Sequence, residues 1–161
     1  MLPQFRALMT QWFGMKFDAN YASWLSNGNT NDSTSEHLEW QACSNYCKKV
    51  KANMLMQEGT ILLDGPSRVW LWPSSGESVT CKGAGLKKTF IFNTIQNSTG
   101  DLLNNIPVGG QNIDQPGMGI WEDFTILETA NGDLDGTNGV NGIAAGFAEG
   151  LIIRRVDLLK A

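Results

Sequence analysis

The rhythm of apolar and polar positions changes near residue 58. Before it, Trp40, Cys43, Cys47, Val50 and Met54 fall at i, i+3, i+7, i+10 and i+14. That spacing lines one face of an amphipathic helix and predicts a helix over about 34–52. Ser33 followed by Glu36 fits a capping box at its start. Lys48, Lys49 and Lys51 lie near its end, where cations suit the helix dipole. Further upstream, Trp12, Phe13, Phe17, Tyr21 and Trp24 crowd the first 30 residues. We read these as an extended start with a short helical turn near Tyr21, followed by the loop S-N-G-N-T-N.

From Glu58 onward the pattern becomes short apolar runs between turns. The runs are T-I-L-L (60–63), R-V-W-L-W (68–72), S-V-T-C (78–81) and T-F-I-F (89–92). The turn signals D-G-P-S, P-S-S-G-E and G-A-G-L separate them. No helical pattern of 10–15 residues intervenes, so a βαβ architecture is excluded from the reading. Near the end, I-W-E-D-F-T-I-L (120–127) can be laid on I-I-R-R-V-D-L-L (152–159). Apolar residues match at 120/152, 121/153, 124/156, 126/158 and 127/159, and the central pair is charged in both copies. Each copy reads as a strand, a charged corner and a second strand. A repeat of this period carried on strands points to a solenoid coil.

Composition agrees. Eighteen Gly and 14 Asn make up about a fifth of the 161 residues, and charged residues only 17%. Gly and Asn suit tight corners, and the mix excludes a helical bundle or coiled coil. With 42% hydrophobic residues a packed core is expected. The net charge is −4, and the stretch between Lys88 and Arg154 holds eight acids and no base. Such a segment repels nucleic acid and anionic membrane surfaces. No apolar run approaches the roughly 18 residues of a membrane span, and no signal peptide is apparent. Three Cys is an odd, low number that argues against a disulfide framework.

Several motifs, taken in order, resemble one family. F-G-M-K-F-D-A (13–19) looks like the F-G-A-k-g-D-G opening of pectate-lyase-superfamily right-handed β-helices. Met15 and Phe17 stand there where small residues are usual. N-D-S-T-S-E (31–36) looks like the t-D-d-T segment before their capping helix, and G-T-I-L-L-D-G (59–65) like the strand after it. C-K-G-A-G-L-K-K-T-F-I-F (81–92) and G-I-A-A-G-F-A-E-G-L-I-I-R-R-V (142–156) resemble early and later coils. Together they span roughly residues 12–159. The resemblance implies a mainly β fold: a right-handed parallel β-helix of few coils with an N-terminal capping helix. Residues 1–57 would be the extended segment and helix. Residues 58–161 would be the first coils, expected to be incomplete at the C-terminus because solenoids want capped ends.

The resemblance also implies a function. Phage tailspike depolymerases and polysaccharide lyases or hydrolases open this way, so a virion or extracellular location and a polysaccharide or cell-surface glycan partner are expected. A homo-oligomer, a trimer by resemblance, or continuation of the same β-helix would cover the open end. The alternative is a non-catalytic structural or glycan-adhesion module that assembles with other chains.

The candidate chemistry is limited. Asp133 and Asp135, in N-G-D-L-D-G-T-N-G, are catalytic candidates as a carboxylate pair. With Asp123 they are also candidate Ca²⁺ ligands, although Asp-Gly pairs are ordinary turn chemistry. Trp70 and Trp72 share parity on one expected strand, and Trp121 lies on a later one; all three are candidate glycan-stacking rings or packing residues. Cys43 and Cys47 could supply half a metal site, but His37 and Cys81 are the only other soft ligands, so core packing is the competing reading. G-A-G-L-K-K-T lacks P-loop spacing and reads as a turn between coils. No resident cofactor is expected beyond the candidate Ca²⁺.

Overall fold

The computed structural model describes residues 7–27, 35–63, 67–68, 72–73, 79–93, 103–104, 117–128, 143–144 and 151–160. They form eleven strands, two α-helices and one 3-10 turn. Seven of the strands build a parallel sheet and an eighth joins it antiparallel, so the fold is mainly β.

The parallel pairings fall into three columns. The first stacks β1 (Ala7–Met9), β2 (Asn53–Leu55) and β6 (Val79–Lys82), then the first half of β9 (Gly117–Glu128) and the first half of β11 (Leu151–Lys160). Leu8, Met54, Cys81, Trp121 and Ile153 share one row through it. The second stacks β3 (Gly59–Leu63), β7 (Thr89–Asn93) and the second halves of β9 and β11, with Ile61, Ile91, Ile126 and Leu158 in one row. The third stacks β4 (Ser67–Arg68), β8 (Leu103–Asn104) and β10 (Ile143–Ala144).

Residues on one face of the second column, such as Ile61, Ile91 and Ile126, join Trp40, Trp121 and Phe124 in the main core. Their neighbours Leu62, Phe90, Phe92 and Leu127 fill a second cluster on the opposite face with Ala19. Strands buried on both faces carry continuous apolar runs rather than alternation, which is why T-I-L-L and T-F-I-F read as they do. Each such buried Ile, Leu or Phe contributes about 1.5–3 kcal/mol. The short helix α1 (Tyr21–Asn27) begins by laying Tyr21 flat on Phe90, with ring centroids 4.1 Å apart.

The register of β9 on β11 is the internal repeat itself. Ile120 pairs Ile152, Trp121 pairs Ile153, Phe124 pairs Val156, Ile126 pairs Leu158 and Leu127 pairs Leu159. The charged corner between the half-strands is real: Asp123 and Arg155 both adopt left-handed backbone, at φ 65° and 50°. Stacked corners approach closely. Gly83 donates its N–H to the Glu122 carbonyl, and a Cβ there would sit 2.1 Å from the Asp123 carbonyl oxygen. Gly59, at φ +127°, would drive a Cβ to 2.4 Å from the Phe17 carbonyl oxygen. Residues 83–88 form the turn between β6 and β7, closed by Lys88 N–H to Gly85 C=O at 3.1 Å.

The expected helix is α2, His37–Val50. Trp40, Cys43 and Cys47 bury their side chains as the stripe requires. Met54, the last member of that stripe, lies instead in β2 and reaches the same core from a strand. The helix stops because Lys51 turns left-handed at φ 55° and its N–H caps the Cys47 carbonyl.

The helix begins three residues later than a cap at Ser33 would place it. Glu36 occupies the N-cap position itself, with no side-chain cap bond; its carboxylate is drawn to the Lys16 backbone N–H, and Ser33 lies outside the described residues. Met15 is buried in the main core and Phe17 packs against it, so the two unusual large residues of the opening motif supply packing. Of the expected strand 68–72, residues 69–71 lie outside the described residues; Arg68 lies in β4 of the three-stranded sheet and Trp72 in β5 (Trp72–Pro73), which pairs antiparallel with β9. A proline there is tolerated because the pairing is short and at an edge.

Candidate functional site

The densest cluster of charge lies on the stacked corners. Sequence order brings Lys82, the pair Glu122–Asp123 and the pair Arg154–Arg155 to one place, because β6, β9 and β11 are neighbours in register. Lys82 Nζ lies 3.1 Å from Glu122 Oε1 and 3.2 Å from Asp123 Oδ2. From the other side, Arg154 Nε donates to Glu122 Oε2 and Arg155 Nε to Asp123 Oδ1. Arg155 Nη2 donates to Glu122 Oε2 at 2.8 Å and to Asp123 Oδ2 at 3.0 Å. Two carboxylates are thus sandwiched between three cations.

The electrostatic consequences follow. The Arg155 hydrogen bond, reinforced by Lys82, pulls the Asp123 carboxyl down to about 2. The Arg154 bond lowers Glu122, against the opposing effect of its burial. The same contacts raise Lys82, through Glu122 first, and Arg155, through Asp123 first. Both acids stay ionised, so neither can donate a proton in the way a glycosidic general acid must.

A third acid behaves oppositely. Glu36 is buried at the start of α2, and burial raises its carboxyl, with Glu39 and Asp18 adding to the rise and the Lys16 N–H opposing it. Its own backbone N–H is held by the Leu62 carbonyl at 2.9 Å.

The thiols belong to the core. Cys43 Sγ and Cys47 Sγ are 4.0 Å apart, and Cys47 Sγ donates to the Asn53 carbonyl at 3.8 Å. All three Cys are free and buried. The hydrogen bond to Cys47 pushes Cys43 up, and burial pushes Cys81 up. Among the described residues no group of three or more His, Cys, Asp or Glu converges as a metal site.

The sequence candidates fare unequally. Trp121 is fully buried; its ring packs among Cys81, Phe124 and their neighbours and offers no face to a sugar. Its indole N–H is the one buried side-chain polar atom without a partner among the described residues. Asp123 faces Arg155 and Lys82. Asp133, Asp135 and Trp70 lie outside the described residues, and of Trp72 only the backbone is described. The cations that complete the corner, Lys82, Arg154 and Arg155, were missed as partners. Their signal was present: the charged pairs of the repeat have opposite sign at an offset of 32.

No family model matches the chain, and no curated protein matches it. Among solved structures, the Agl-KA catalytic domain is similar at a TM-score of 0.65 and 15% identity, over 98% of this chain and 24% of that one. The likeness is one of fold alone, and the chain spans about a quarter of that domain. No helix among the described residues is long and apolar enough to cross a membrane.

Proposed function

We propose that this chain is a stretch of right-handed parallel β-helix from a carbohydrate-active protein of the pectate-lyase-superfamily type. In this reading the three columns are the three sides of a coil. Each circuit runs through a first strand, a corner and a second strand before reaching the third side. Helix α2, whose Trp40, Cys43 and Cys47 pack with Met54 and Met56, covers the first circuit and shields its apolar edge from water. Right-handed crossovers are the rule for parallel connections. The observation that carries the reading is the three-column register. The likeness in fold to the Agl-KA catalytic domain supports it, and so does the ordered set of resembling motifs.

Within that protein we assign this stretch to scaffold and glycan contact, with cleavage left to other coils or to none. The observation behind the assignment is the corner cluster. Its two carboxylates are fixed as anions by Lys82, Arg154 and Arg155 and lack the raised acid that glycoside hydrolysis uses. The test is a panel of capsular and plant polysaccharides presented to the purified chain. Retention on at least one of them, weakened by Trp72→Ala, and no shortening of any, is the expected result. Chain shortening or new unsaturated ends would assign catalysis to this stretch, and failure to retain on every glycan would overturn the carbohydrate reading.

A further inference from the structure

The core beneath α2 is rich in sulfur. All three Cys of the chain, and Met15, Met54 and Met56 of its six Met, belong to the main cluster. Cys43 and Cys47 stand four apart on α2 with their side chains buried, so they lie one above the other on its inner face. Met54 and Cys81 pair in register on neighbouring strands of the first column. Apolar residues of similar volume fill a core about as well. What these six side chains share beyond apolar bulk is a soft, polarizable donor atom.

The spacing of the two helical thiols selects among their reactions. Their sulfurs are 4.0 Å apart, roughly twice the S–S bond of about 2.05 Å. Cβ atoms four residues apart on a helix are about 5–6 Å apart, wider than the roughly 3.5–4.5 Å that a disulfide spans. The helix therefore resists oxidation of the pair. A metal ion fits the same gap, because two metal–thiolate bonds of about 2.3 Å hold sulfurs up to about 4.6 Å apart. At 4.0 Å the two bonds meet at a bent angle and leave a third position open. Zinc is a poor fit: it takes four ligands, and among the described residues no third His, Cys, Asp or Glu converges on the pair. A thioether is at hand. Met54 follows Asn53, whose carbonyl accepts from Cys47 Sγ at 3.8 Å, and its side chain packs in the same cluster. Thiolate and thioether donors in small number suit Cu(I).

We propose that Cys43 and Cys47 clasp one soft monovalent cation of the Cu(I) or Ag(I) kind, with the Met54 thioether as third donor. The ion takes the place of the proton between the two sulfurs, and that proton leaves to the buffer. One positive charge replaces another, so no net charge is added to the core. The same cluster holds a buried donor that lacks an acceptor among the described residues, the Trp121 indole N–H. A thiolate is a stronger acceptor than a thiol, so loading the site also adds acceptor capacity where the cluster is short of it. The inference concerns the core under α2 and is independent of any glycan.

The test uses Ag(I) as a probe that keeps its oxidation state. The 161-residue chain is brought to equilibrium with excess Ag(I) in chloride-free buffer, freed of loosely held ion by gel filtration and weighed by native mass spectrometry. One ion per folded chain is expected. Cys43→Ala and Cys47→Ala, prepared separately so that one folded variant suffices, should each weaken binding about tenfold or more. Met54→Leu, close in volume, should weaken it several-fold, and Cys81→Ala should leave it unchanged. X-ray absorption of the parent chain loaded with Cu(I) should show sulfur neighbours alone, a reading that needs no variant. A folded chain that retains no ion overturns the proposal. So does an ion held at full affinity after Cys43 or Cys47 is replaced, a set of ions held one to each thiol, or a Cu(I) ion with nitrogen or oxygen neighbours.

Discussion

Arg155 lies over Asp123 at the same corner of the next strand, 32 residues on, and its guanidinium holds that carboxylate. Both residues carry left-handed backbone. A non-glycine residue takes that conformation at a cost, so the ion pair stabilises the corner where the backbone resists it.

The Asp123 carboxyl is drawn down to about 2, below the ordinary value of about 3.9 in an unfolded chain. A lowered carboxyl stabilises the fold above the unfolded value, and that stability is lost as pH falls through the folded one. Asp123→Asn tolerates the left-handed corner and removes only the charge. Its melting temperature should fall a few degrees below that of the parent at pH 7. The gap should narrow below pH 4 and close near pH 2, as followed by circular dichroism. A gap unchanged down to pH 2 would show that the charge is immaterial.

Gly83 tests how tightly the corners stack. A Cβ there meets backbone, the Asp123 carbonyl oxygen, and also Thr89 Cβ at 2.9 Å. Neither is the free end of a flexible side chain. Gly83→Ala should cost about 1–3 kcal/mol by overpacking, read from urea titration. A loss under about 0.5 kcal/mol, the range of an ordinary surface change, would mean the corners stand farther apart.

Trp121 and Ile153 are paired in one row yet differ in burial: Trp121 is fully buried, Ile153 about half exposed. Trp121→Ala should cost about 3–5 kcal/mol through the cavity it leaves. Ile153→Ala should cost well under half as much. Equal losses in chemical denaturation would contradict this difference in burial.

The thiols should be silent in the native protein. Cys43 and Cys81 are pushed up, the first by its bond to Cys47 and the second by burial, and Cys47, though lowered by Cys43, is buried as well. Labelling with a thiol reagent at pH 8 should proceed for all three at the rate of unfolding, and at once in denaturant. Rapid native labelling of Cys47 would reveal an opening of α2 from β2.

Much of this arrangement was legible in the sequence, for reasons tied to particular residues. The 32-residue repeat could be read because parallel stacking puts like on like, Ile120 over Ile152 and Leu127 over Leu159. The helix was legible because Trp40, Cys43 and Cys47 keep helical spacing, while Met54 continues that spacing by coincidence on a strand. Trp121 was open to misreading because residues on both faces of β9 are buried, so alternation marks no outward side. The setting of Glu36 depends on Lys16 and Leu62, each about 20 residues or more away, and no local pattern announces it. β5 was read as the end of one strand over 68–72, because two residues pairing antiparallel with a distant strand leave no periodic trace of their own.

The column register also bears on how the chain reaches this state. Its parallel ladders join residues from 27 apart, Met54 with Cys81, to 46 apart, Ala7 with Asn53. No described ladder is a local hairpin that could form early and wait. Every pairing must close a large loop before any hydrogen bond compensates for the lost chain entropy, and folding rates fall as contacts become less local. Refolding in milliseconds to seconds or slower is therefore expected, with β9 as its bottleneck. That one strand binds β6, β7, β11 and β5, so until it is in place no described strand pairing links the two halves of the sheet.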